Sequence, residues 1–255
     1  MMSVKNKIIF ITGASSGIGM ACAKEFAELG ARVIMSARRV EKMQQMINEL
    51  NLPKENIKII ELDVRNQEKV AEAIQALPED WKNIDILVNN AGVALSSDLL
   101  QHGNPKNWDT MIDTNIKGLL YVTHAVLPQM VERDTGHIIN IGSIAGKACY
   151  AGGNVYAATK HAVRAISQSL RLDLIGKNIR VSEVQPGAVE TEFSIVRWNN
   201  DKDKAKAFYT GFSPLTAEDI ADAVVYCATR KPHVNVAEML VMPIAQASVT
   251  QIYRS

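Results

Sequence analysis

Short apolar runs rich in isoleucine and valine alternate along the chain with longer stretches of helical periodicity. The runs are IIFIT (8–12), RVIMSA (32–37), IKIIEL (57–62), IDILVNN (84–90), HIINIG (137–142), IRVSEV (179–184) and AEMLVM (237–242). Between them, stretches such as IGMACAKEFAELG, VEKMQQMINEL, QEKVAEAIQAL and AEDIADAVVYCATR repeat their apolar residues about every 3.6 positions and keep a polar face. Strand-length and helix-length patterns in strict alternation predict βαβ units. The expected fold is α/β: a single domain over 1–255 with a doubly wound parallel sheet of seven strands and helices on both faces. One stretch fits neither pattern. VETEFSIVRWNNDKDKAKAFYTGFSP, about 189–214, is too long for an ordinary connection and is expected to form a lid or a small helical insertion.

Composition narrows the function classes. The 255 residues are 47% hydrophobic and 22% charged, as in a globular protein, and the net charge of +1 gives no footprint for nucleic acid or an anionic membrane. No apolar stretch is long enough to cross a bilayer, so a cytoplasmic location is expected, with a small molecule as the partner. Cys22, Cys149 and Cys227 are far apart and odd in number, so they are expected to be reduced and buried. The five histidines are equally scattered and suggest neither a metal site nor a Ser-His-Asp triad.

Two stretches carry chemistry. Directly after the first run comes TGASSGIG, Thr12 to Gly19, a glycine-rich turn that opens a helix. Gly13, Gly17 and Gly19 let the backbone approach a pyrophosphate, with the peptide groups of Ala14, Ser15, Ser16 and Ile18 around it and the positive helix end behind. No Gly-Lys-Ser/Thr follows, which argues for a dinucleotide and a Rossmann-like sheet rather than a mononucleotide loop. At the end of the second run, where an acidic residue would bind the ribose of NAD, stand Arg38 and Arg39. A guanidinium fork suits a 2′-phosphate, so the expected cofactor is NADP.

The second stretch is YAATK, 156–160. Residues four apart share a helix face, so Tyr156 and Lys160 should be neighbours, and a protonated amine beside a phenol favours the phenolate. The pair therefore points to acid-base work. Read alone, Ser143 would suit a helix or turn cap, Asp63 an N-cap, and Asn115 an exposed polar residue.

TGASSGIG, NNAG (89–92), Asn115, Ser143, YAATK and PGAVET (186–191) occur in one chain in this order. Together they resemble the short-chain dehydrogenase/reductase family over essentially the whole length, and the stretch from Met111 to Lys160 looks like its NADP-dependent 3-hydroxy acid dehydrogenases, also described as L-allo-threonine or serine dehydrogenases. The resemblance implies hydride transfer between NADP(H) and the 3-hydroxyl or 3-oxo group of short 3-hydroxy acids, such as L-serine, L-allo-threonine or 3-hydroxyisobutyrate. It implies Tyr156 as the proton-transfer group, Lys160 as its electrostatic partner and ribose ligand, and Ser143 as the residue that holds the substrate oxygen. Asn115 would kink its helix and hold a water on the proton path. Asn90 would face the adenosine side, with Ala91 and Gly92 permitting close approach, while Asp63 and Val64 flank the adenine. Pro186, Gly187, Val189 and the Thr191 hydroxyl would fix the nicotinamide carboxamide. A homotetramer through the long helices at about 105–133 and 154–175 is a further implication. A 3-hydroxy acid needs a cation for its carboxylate, and Arg197 is the candidate, although a solvated surface with Lys202, Lys204 and Lys206 would look the same. Two other readings stay open: a carbonyl or 3-oxoacyl thioester reductase, and a non-catalytic cofactor-sensing protein on the same fold.

Overall fold

A computed structural model describes residues 2–50 and 52–255. All seven apolar runs form strands, within two residues of the expected bounds: β1 (Ile8–Thr12), β2 (Arg32–Ala37), β3 (Ile57–Glu61), β4 (Ile86–Asn89), β5 (Gly136–Ile141), β6 (Ile179–Pro186) and β7 (Glu238–Val241). Every pairing is parallel, in the order β3-β2-β1-β4-β5-β6-β7. The order reverses between β1 and β4, and the crevice at their carboxyl ends is where such sheets collect ligands. β4 stops before Asn90 because that residue turns away to bond the end of β1, its N–H reaching Thr12 Oγ1 at 3.0 Å.

Nine α-helices lie among the described residues: α1 (Gly17–Glu28), α2 (Val40–Glu49), α3 (Gln67–Gln75), α4 (Pro105–Ile112), α5 (Leu119–Glu132), α6 (Asn154–Asp173), α7 (Glu192–Arg197), α8 (Lys202–Phe208) and α9 (Ala217–Ala228). Alternate strand residues serve the two faces of the sheet. Ile9, Ile11, Val33 and Met35 pack with Phe26 of α1, Met43 of α2 and Val224 of α9. Ile8, Phe10, Ile34 and Leu87 pack with Val70 of α3 and with Val126 and Met130 of α5. Each such large side chain, fully buried, contributes about 1.5–3 kcal/mol.

The single helical pattern over 105–133 is interrupted. A π-helical turn, Asp113–Gly118, joins α4 to α5 and is centred on Asn115. α6 buries three polar groups, Thr159, Lys160 and Ser167, one of them charged. These lie over a polar row that crosses four strands in register: Asn89, Asn140, Glu183 and Glu238. Asn89 donates to Thr123 Oγ1 (2.9 Å) and Asn140 Oδ1 (3.0 Å), and Asn140 donates to Ser167 Oγ (2.8 Å), whereas Asn89 Oδ1 and both Glu183 oxygens have no partner among the described residues.

The stretch at 189–214 holds two short helices, α7 and α8, joined to the turn before them by Tyr209, whose hydroxyl donates to Val189 O at 2.6 Å. Cys22 and Cys227 are buried, but Cys149 is exposed, because it lies in the loop before α6 rather than in a strand or helix core. Among the described residues no helix is long and apolar enough to cross a membrane.

Candidate active site

The crevice between β1 and β4 opens into a cavity of about 630 Å³. Its walls bring together Gly13, Ser15, Ser16, Gly17, Ile18, Arg38, Arg39, Asp63, Val64, Asn90, Ala91, Gly92, Ser143, Tyr156, Lys160, Pro186, Gly187, Val189, Thr191 and Arg197, segments up to 184 positions apart in the chain. Three expected residues stand behind the walls. Ala14 is fully buried and donates its N–H to Ser36 O. Gly19 lies under the turn, where a Cβ would sit 2.4 Å from Asn90 Nδ2 and 2.5 Å from Gly13 O. Asn115 packs against the loop after β4.

At one end, the turn Thr12–Gly19 is braced from β4. Asn90 Nδ2 donates to Thr12 O (2.9 Å) and Gly13 O (3.1 Å), so its amide is spent on the turn, a role the sequence does not disclose. Gly13 has φ +67°, a conformation that favours glycine. No acidic residue occupies the first turn of α1, and Ser16, Gly17 and Ile18 at its N-terminal end line the cavity, which suits an anion. Arg39 caps α2 without a capping hydrogen bond. Its guanidinium bonds Ser15 and Ser16 and pairs with Glu192 at 3.0 Å, and Lys42 holds the other oxygen of the same carboxylate. Arg38 is exposed at the same rim. Asp63 does not cap α3: Asn66 does, accepting from Lys69 N at 3.0 Å, while Asp63 pairs with Arg65, whose hydrogen bonds hold its carboxyl below the usual range. This donor set fits a dinucleotide with an additional phosphate at the rim.

At the other end, Tyr156 lies in the first turn of α6 and Lys160 one turn on. Lys160 is buried and donates to Ile141 O at 2.8 Å, its Nζ 5.9 Å from the Tyr156 ring centroid. Burial pushes the Tyr156 phenol up to about 12, with the nearby Ser143 hydroxyl and the Arg197 charge working against it. In the protein alone, then, the phenol is protonated at neutral pH. The expected lowering by Lys160 is not seen: desolvation dominates at Tyr156, and burial also draws Lys160 down to about 8. Ser143 does cap a short turn, accepting from Ala145 N at 3.1 Å, which leaves its O–H available to the cavity.

Asn115 is buried, not exposed. Its Oδ1 accepts from Val93 N (2.8 Å) and its Nδ2 donates to Val93 O (2.8 Å) and Thr159 Oγ1 (3.0 Å), so all its bonds go to protein groups. Arg197, at the end of α7, donates to Tyr150 OH at 2.9 Å and lies 5.9 Å from the Tyr156 ring centroid, and its buried Nε has no partner among the described residues. A guanidinium left partly unpaired beside a phenol and a hydroxyl is a ready receptor for a small anion.

A family model described as short chain dehydrogenase matches residues 7–202. The chain belongs to the short-chain dehydrogenase family. It is 48% identical over 241 residues to the NADP-dependent 3-hydroxy acid dehydrogenase YdfG of Escherichia coli (strain K12), covering 94% of this chain and 96% of that one. It is 45% identical over 240 residues to a sulfoacetaldehyde reductase of Chromohalobacter salexigens, with 94% of each covered. Among solved structures, the closed form of serine dehydrogenase complexed with NADP+ superposes with a TM-score of 0.92 at 46% identity, covering 97% of this chain and 100% of that one.

Several residues of this short-chain dehydrogenase site escaped sequence reasoning. Gln246 accepts from Ala188 N at 2.8 Å and so shapes the PGAVET turn from 58 positions away. Tyr150 and Phe193 flank Tyr156, Phe193 at 5.8 Å between ring centroids. Glu183 alone had a signal: a carboxylate inside a strand that is otherwise buried and apolar.

Proposed function

We propose that the protein is an NADP-dependent oxidoreductase of short 3-hydroxy acids, among them L-serine, L-allo-threonine and 3-hydroxyisobutyrate, and of the matching semialdehydes. The observation that carries this reading is the convergence of Tyr156, Ser143 and the partly unpaired Arg197 guanidinium on one end of the cavity whose other end is built for phosphates. Bound NADP(H) supplies or accepts the hydride. Tyr156 Oη gives its proton to a carbonyl oxygen during reduction and takes it from the alcohol during oxidation. Ser143 Oγ holds that same oxygen, and the fork of Arg197 holds the carboxylate, which fixes the reacting carbon relative to Tyr156. Lys160 and the backbone of Gly92 border the ribose side, while Arg38, Arg39 and Lys42 take the 2′-phosphate. Gly187, Val189 and Thr191 orient the carboxamide, and Asp63 and Val64 flank the adenine. The segment at 189–214 acts as a lid, since it carries Arg197. The same reading includes a homotetramer in the cytoplasm, assembled through the faces of α4, α5 and α6.

An assay that follows NADPH absorbance with a panel of 3-hydroxy acids and bulky ketones tests the reading; turnover confined to ketones or thioesters would overturn it. Two variants refine it. Arg197→Leu is expected to lower kcat/KM for L-serine and 3-hydroxyisobutyrate by about 10–100-fold, the loss of one or two charge-assisted bonds, and to spare an uncharged aldehyde. Equal effects on both substrates would remove Arg197 from carboxylate binding. Arg38→Ala is expected to raise the Kd for NADPH about tenfold or more and to leave that for NADH unchanged, measured by fluorescence titration.

A further inference from the structure

We propose that Glu183 is a positioning residue that holds Lys160 in its charged form, acting from below the catalytic end of the sheet; this rests on the reading of Lys160 as part of the site. Glu183 lies in the middle of β6 and is fully buried, yet neither carboxyl oxygen has a hydrogen-bond partner among the described residues. A carboxylate in such a place is costly unless a cation compensates it. Burial raises its carboxyl, Gln185 beside it on β6 lowers it, Glu238 adds to the rise, and two cations of α6, Lys160 and Arg164, favour its charged form. Arg164 is already engaged, with Nε 3.4 Å from Glu238 Oε1, and Lys147 takes the other oxygen of Glu238 at 3.1 Å. Lys160 makes no ion pair with any carboxylate among the described residues, and Glu183 acts on it through space. The bond from Lys160 to Ile141 O uses one of three ammonium protons and leaves two.

The local backbone reports the same placement. Gly142 directly follows Ile141, the residue whose carbonyl receives Lys160, and a Cβ on Gly142 would sit 2.2 Å from Glu183 Oε1. The carboxylate is therefore packed against the very turn that Lys160 grips, in a space that exists because residue 142 has no side chain. The groups facing Glu183 are Lys160 and Arg164 from α6, Glu238 from β7, Gln185 from β6 itself and Asn140 from β5. Those facing Lys160 are Tyr156 on its own helix, Asn115 across Gly92, and Glu183. Burial draws Lys160 down to about 8 and Glu183 opposes it. Without that charge the amine would titrate lower, and much of it would be neutral at physiological pH.

The test is the titration of Lys160 in the protein labelled with 15N at lysine Nζ and free of cofactor, with its resonance identified by its loss in Lys160→Arg. The native midpoint should lie at about 8. In Glu183→Gln it should fall by about one unit or more, and in Glu183→Asp, which keeps the charge, it should stay within about half a unit. Glu183→Met, which packs without polar needs, should reproduce the shift and serves if the Gln variant fails to fold. The kcat profile against pH should move in the same direction, with KM for NADP little changed. An unchanged midpoint in Glu183→Gln, or a loss of kcat that is uniform across pH, would overturn the proposal. A shifted midpoint in a protein that turns over no 3-hydroxy acid would support the pairing and remove only the substrate reading.

Discussion

Replacing Tyr156 with phenylalanine is expected to lower kcat by about 10²–10⁴-fold, the usual worth of a positioned proton donor. The substitution deletes one oxygen and little else. The ring keeps its packing on Phe193 and its place near Arg197, and α6 keeps its first turn. Binding of NADPH should therefore stay within about twofold and the thermal midpoint within about 2 °C. The direction of reaction should matter as well. A phenol held at about 12 is already protonated at neutral pH, so it can donate to a carbonyl at once, whereas alcohol oxidation needs the deprotonated form and should accelerate as pH rises. Stopped-flow absorbance in both directions across pH measures this. Near-native turnover in the phenylalanine variant, with its fold intact, would end the assignment of Tyr156.

Asn115→Leu should be the most damaging change away from the reacting atoms. Leucine is close in size, but it leaves the N–H and C=O of Val93 without their partner and removes the amide that donates to Thr159 Oγ1, which keeps only its own bond to Tyr156 O. Each buried group so abandoned costs about 1–3 kcal/mol, and a total loss of about 3 kcal/mol or more is expected from denaturant unfolding. That corresponds to a thermal midpoint lower by about 6–12 °C for a chain of this size. Activity should fall with it, because the Cβ position of Gly92 lies 3.3 Å from Asn115 Oδ1 and 3.7 Å from Lys160 Nζ, so the loop and the amine shift together. A variant as stable as the native protein would mean that the π-helical turn holds itself without these bonds.

The fold was legible because parallel strands buried on both faces leave continuous apolar runs, and the crossover helices leave a different period between them. The glycine-rich turn at 12–19 and the closeness of Tyr156 to Lys160 were legible for a similar reason: each is local, so spacing alone places its members. What stayed hidden depends on partners far along the chain. Glu192 meets Arg39 across 153 positions, and Asn115 meets Val93 across 22, through a π-helical turn that periodicity does not reveal. The ionisation of Tyr156 was misjudged because the sequence shows a neighbouring amine but not the depth at which both groups are buried. Cys149 was misjudged in the same way, since a cysteine in an irregular segment carries no pattern that says which way it faces.

The row of Asn89, Asn140, Glu183 and Glu238 divides the sheet into halves with different tolerance to change. In β1 and β2 one aliphatic side chain can replace another of similar volume with only local repacking. In β4 and β5, Asn89 and Asn140 bond each other and reach Thr123 and Ser167, so a swap at one of these two is best accommodated by a matching swap at its partner. A library that randomises Asn89 and Asn140 together should therefore yield more folded variants than libraries that randomise either one alone.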